Sequence, residues 1–167
     1  YKWGVKVLGL NGTIAQGMGE MRSILDYAEN NDFIFKSEAL FYYSFMALYL
    51  ENNPEKAWET ITTREVDCQE NLLNVFVVAS IAMRTGNNET AISTIENRPS
   101  DSRYFPFPYL DYMLGLAKLR GLKTDADDNI QRFLQSFKGE NYIKDAYQKL
   151  AWHSLVHDDL DGYRDNM

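Results

Sequence analysis

The sequence predicts an all-α chain built of helical hairpins, and three observations carry that prediction. Apolar residues recur at helical spacing through most of the 167 residues, with no convincing strand alternation. Polar turn signals interrupt this pattern at regular intervals. Two of the interruptions share one pattern, Asn52-Asn53-Pro54-Glu55-Lys56-Ala57-Trp58 and Gly86-Asn87-Asn88-Glu89-Thr90-Ala91-Ile92, with alanines 34 residues apart. The polar turn reverses the chain, and the alanine lets the returning helix pack closely on its partner. A period of that length is the signature of stacked helical hairpins.

Ten helices follow, at 2–15, 18–30, 36–51, 55–63, 69–85, 88–97, 107–120, 125–137, 141–157 and 159–166. The first two divide within a glycine-rich stretch (Gly9, Gly12, Gly17, Gly19) that suits a turn and close helix packing. The third stops at Asn52-Asn53, and Pro54 opens the fourth, where its missing N–H costs nothing. The run from Leu72 to Met83 is the most apolar, but Asn74 and Ser80 interrupt it. It falls short of the ~18 consecutive apolar residues of a membrane span and reads as a buried helix. Gly86 ends that helix in a left-handed cap. Pro106 and Pro108 delay the seventh helix until about Phe107 to Tyr109. Gly139 closes the eighth, and Glu140-Asn141 leads into the ninth.

Long and short helices alternate five times without a linker, so residues 1–167 read as a single repeat domain. The chain opens on Tyr1-Lys2-Trp3, with neither an initiator methionine nor a signal-peptide pattern, and is taken as a piece of a longer protein.

Composition narrows the function classes. The net charge is −7 and the 17 basic residues are scattered, which argues against nucleic acid, whose phosphates need clustered Lys and Arg. Acid gathers late, at Asp125, Asp127 and Asp128 and again at Asp158, Asp159, Asp161 and Asp165, as a solvated surface. Cys68 is the only cysteine, so neither an internal disulfide nor a thiolate zinc site can form. No Gly-rich phosphate loop precedes a Lys-Ser/Thr pair, and no cofactor is implied. His153 and His157 stand four apart on one helix face, a spacing that suits a metal and defines an alternative reading as a metal-dependent hydrolase. The pair lacks the glutamate of a metalloprotease motif, so neither a catalytic nor a metal residue is assigned.

The sequence resembles the tetratricopeptide repeat (TPR) family. Leu114-Gly115 and Leu8-Gly9 match that family's first-helix Leu-Gly pair, with Val78-Ala79 and Leu150-Ala151 as conservative versions and Ser44-Phe45 as a poor one. Aligned on Gly9, Phe45, Ala79, Gly115 and Ala151, the units step by 36, 34, 36 and 36 residues. The small second-helix position is Ala57 and Ala91 early, then Asp127 and Tyr163, where the pattern decays. Asn141 to Tyr147 and Tyr1 to Thr13 are further similar to uncharacterised bacterial TPR-like proteins with an export signal, which leans localisation toward the periplasm or cell envelope.

The resemblance implies a right-handed α/α superhelix of about five hairpins and a non-enzymatic scaffold for protein-protein interaction. It also implies that a peptide or protein partner docks on a concave face lined by first helices. Carried onto this chain, the groove positions are Tyr42, Met46 and Tyr49, then Phe76 and Met83, then Tyr112 and Leu116, and Trp152. The same positions continue to Lys6, Leu10, Ser80, Leu119 and Gln148. A Tyr/Phe/Met stripe at this spacing is also what a helix core looks like, so burial decides each residue separately. Arg84 and Arg120 hold equivalent places at helix ends, able to anchor an acidic partner or to complement the helix dipole. Self-association through exposed ends of the array is the remaining alternative.

Overall fold

The structure, a computed structural model, describes residues 12–167. Among these residues there are nine helices and no strand. The described residues pack as two compact units that divide between Glu65 and Val66.

The first unit holds α1 (Ile14–Asn30), α2 (Lys36–Tyr49) and α3 (Pro54–Thr62), each packed on the next. The Thr13 side chain accepts from the Gln16 backbone N–H at 3.1 Å and starts α1 there. The helix then runs unbroken through Gly17 and Gly19, so the division expected between residues 15 and 18 does not occur. A β-carbon on Gly17 would meet Met46 Cε of α2 at 3.6 Å, ordinary packing distance, so this glycine serves packing and not a turn. The remainder of the expected first helix, with Lys6, Gly9 and Leu10, lies outside the described residues.

Asn52 turns the chain at φ 52°, the Asn53 side chain accepts from Lys56 N–H at 2.9 Å, and Pro54 begins α3. Ala57, three residues on, is fully buried. Arg64, just past α3, reaches back to Asp26 at 3.3 Å and to Glu29 on α1.

The second unit holds α4 (Leu72–Arg84), α5 (Asn88–Glu96), α6 (Tyr109–Arg120), α7 (Ala126–Ser136), α8 (Ile143–Val156) and α9 (Leu160–Asn166). Successive helices pack on each other, and alternate ones also touch, α4 with α6 and α6 with α8. That is the contact pattern of hairpins laid side by side. α4 begins three residues later than periodicity suggests because Asp67 and Asn71 divert the preceding backbone. Asp67 Oδ1 accepts from Gln69 and Glu70 N–H (2.8 and 3.0 Å), and Asn71 Oδ1 accepts from Leu73 N–H at 2.8 Å.

The four described hairpins each turn on a left-handed residue: Asn52, Gly86, Leu122 and Asp158. The turn therefore recurs every 34 to 36 residues. The small residue beyond it recurs as well, with a slip that the sequence hid. In α7 the buried position is Ala126, not Asp127, one residue nearer its turn than Ala57 and Ala91 are to theirs. In α9 the same slip puts Gly162, not Tyr163, at that place, where a β-carbon would meet Ser154 Oγ at 2.7 Å.

The core of α6, α7 and α8 gathers Tyr112, Ile130, Phe133, Ala146 and Leu150, with Leu116 and Ile143 packed against it. Just ahead of α8, Tyr142 holds a left-handed backbone (φ 65°), its ring lying 5.0 Å from Tyr109 and 5.5 Å from Tyr112. Lys118 is buried between Glu96 (2.8 Å) and Asp125 (2.6 Å), joining α5, α6 and the start of α7.

Candidate partner-binding groove

An open groove of about 580 Å³ lies within the second unit, between α6 and α8. That is the size of sites that take a side chain or a small ligand. One wall is the α6 stripe Tyr112, Leu116 and Leu119, residues spaced so that they share a helix face, with Arg120 at its end. The other wall is Asp145, Lys149 and Trp152 on α8, spaced likewise, followed by Leu155 and Val156. Leu122 comes from the α6–α7 turn.

Three of the polar groups in the groove form one short chain. The Tyr112 hydroxyl donates to Asp145 Oδ2, and the Lys149 ammonium donates to Asp145 Oδ1 at 3.1 Å. The same ammonium stands 3.9 Å from the centre of the Trp152 ring, a cation–π contact. Burial, then the bond to Asp145, pushes the Tyr112 hydroxyl above its usual range. It therefore donates as a neutral hydroxyl at physiological pH. Lys149 is 8% exposed and Trp152 45%, so the ammonium is covered while the indole remains open to a ligand.

Of the eight groove residues expected from the sequence, the structure brings three together here: Tyr112, Leu116 and Trp152. Tyr112, however, is only 4% exposed; its ring stacks on Tyr109 (5.5 Å) and meets Phe133 at a tilt (5.3 Å). It is a core residue that also forms the groove floor, so burial decides against a free Tyr112 side chain. Phe76 and Met83, on α4, are half-buried, and Phe76 packs on Phe107 at 5.8 Å. Tyr42, Met46 and Tyr49 belong to the first unit; both tyrosines there are exposed and Met46 is half-buried beneath Gly17. Asp145 and Lys149 were not expected, although their i, i+4 spacing of opposite charges marks a helix-face pair. Leu122 was out of reach of helical-stripe reasoning because it sits in a turn.

His153 Nε2 lies 3.1 Å from the Thr124 carbonyl and 3.7 Å from Asp127 Oδ1, and its ring stands 4.5 Å from that of His157. Among the described residues no group of three or more His, Cys, Asp or Glu side chains has the spacing to hold a metal ion. Burial, helped by Asp67, pushes the Cys68 thiol up, away from the reactive thiolate. A second hollow, of about 510 Å³, lies along the 98–108 loop and includes Arg98 and Asp111, which pair with each other at 2.7 Å. No described helix is long and apolar enough to cross a membrane.

No family model, curated protein or solved structure matches this chain.

Proposed function

We propose that this chain is a non-enzymatic protein-protein interaction scaffold of the TPR type, its hairpins stacked as a right-handed superhelix, with the α6–α8 groove receiving an apolar segment of a partner. The observation that carries the reading is the convergence of Leu116, Trp152, Leu155 and Val156 on one open hollow over a Tyr112 floor. Contiguous apolar surface left open beside a packed core marks an interface, and an exposed indole is a frequent anchor of one. The recurrence of left-handed turns at residues 52, 86, 122 and 158 supports the repeat architecture. A hydrolase reading has less behind it, because His153 already faces the Thr124 carbonyl and Asp127.

The test is selection from a displayed library of random peptides on the purified chain. Recovered peptides should lose binding to Trp152→Ala and Leu116→Ala proteins that keep the wild-type circular dichroism spectrum. Recovery of none, or binding indifferent to both changes, ends the proposal.

Self-association is a second reading, favoured by the exposed Leu155, Val156, Leu160 and Met167 on and after the last two helices. Sedimentation equilibrium separates it: a monomer across the accessible concentration range excludes it.

A further inference from the structure

We infer that the segment bound in the α6–α8 groove is acidic as well as apolar, with a carboxylate seated on the Arg120 guanidinium. The inference rests on the groove being a binding site, as proposed above, and concerns the chemistry of its occupant. Three charged side chains line the groove: Arg120, Asp145 and Lys149. Both carboxylate oxygens of Asp145 are engaged, one by the Tyr112 hydroxyl and one by Lys149, so its charge is already balanced within the groove. Lys149 is spoken for in turn, held between Asp145 and the Trp152 ring.

Arg120 is in a different position. It donates through one nitrogen to the Met83 carbonyl at 3.3 Å, which uses one of the five N–H groups of a guanidinium. That bond fixes the side chain and caps the end of α4, but it is a bond to a neutral acceptor. Among the described residues no carboxylate lies in ion-pair range of Arg120, whereas Arg98, Arg103 and Arg164 of the same unit each hold an aspartate. The N–H groups that remain can pair with a carboxylate through two parallel bonds. The groove thus carries a net positive charge on a chain whose net charge is −7. An anionic segment is repelled by the remaining surface and drawn to this hollow. The apolar wall next to Arg120, Leu116 with Leu119, then requires large apolar side chains beside the carboxylate.

The experiment uses the peptides recovered by the library selection, remade with a fluorescent label for anisotropy titration. The expected sequences place Asp or Glu beside Leu, Ile, Phe or Trp. Replacing that acid by its amide weakens binding about tenfold, as loss of a charge-assisted pair does. Arg120→Gln gives the same loss with the acidic peptide and none with the amide peptide. Arg120→Lys, which keeps charge but not the fork, recovers part of it. Recovered peptides that are neutral or basic, or acidic peptides indifferent to Arg120→Gln, overturn the inference. In that event continued dependence on Trp152 keeps the groove reading, and its absence removes both.

Discussion

Gly115 on α6 lies so close to α7 that a β-carbon on it would stand 2.5 Å from Ile130 Cγ1 and 3.0 Å from the Ala126 carbonyl. The two helices of this hairpin meet with no room for a methyl group. One neighbour is backbone and another is a fully buried isoleucine, so neither can swing aside. Gly115→Ala should therefore destabilise the chain by about 1–3 kcal/mol through overpacking, although alanine is the better helix former by about 1 kcal/mol. Urea denaturation decides between the two effects, and a net gain in midpoint would show that the hairpin has slack.

Acid should weaken the Lys118 junction. The hydrogen bond from Lys118 holds the Asp125 carboxyl below its ordinary value. A group with a depressed folded pKa adds stability that is complete above its unfolded value of about 4. That stability is lost as pH falls through the folded value. Denaturation midpoints measured from neutral pH down to about pH 3 should show the decline, and Lys118→Met should flatten part of it. An unchanged slope in the variant would remove Asp125 from the account. Glu96 and Asp125 are both about half exposed, so in the variant they rehydrate and the loss at neutral pH stays small.

Two hairpin turns predict opposite outcomes for similar backbone geometry. Gly86 (φ 81°) has open space around it, so Gly86→Ala costs only the left-handed strain, about 1–2 kcal/mol. Asp158 (φ 61°) already bears that strain, and Asp158→Gly should recover up to about 1 kcal/mol. Thermal melts of both variants, expected to shift in opposite directions, check the pair.

Tyr112 and Trp152 face one groove and should separate cleanly. Tyr112→Ala empties a stacked core position and should cost about 3–5 kcal/mol, shifting the melt before any binding is measured. Trp152→Ala, at a half-open site, should cost about 1 kcal/mol or less, mainly the lost contact with Lys149, while abolishing peptide binding. Equal melting shifts for both would contradict the burial difference.

The helices were legible because caps and prolines act locally. Asn53 with Pro54, and Gly86, stand where the sequence put a turn, and Ala57 and Ala91 are both fully buried. The sequence is silent where a choice depends on the facing helix. Gly17 and Gly19 look like breakers, yet Thr13 caps the helix ahead of them and α1 continues. Asp127 looks like a decayed small position because the turn at Leu122 is one residue tighter, which hands the role to Ala126. The groove was readable only as a stripe: Leu116 and Trp152 face an open hollow, and Tyr112, on the stripe with Leu116, lines the same hollow while packing its ring into the core. Which of these happens depends on Phe133 and Tyr142, residues far along the chain that spacing cannot bring into view.

Leu122 holds the third hairpin turn at φ 52°, a conformation that a branched apolar side chain does not favour, and most of that side chain is exposed. Glycine would relax the backbone, but it would also take away one end of the groove wall. Folding and ligand contact thus make opposed demands on a single position. Any change that makes this hairpin more robust there should make the groove a poorer receptor, so stability and affinity cannot both be raised through residue 122.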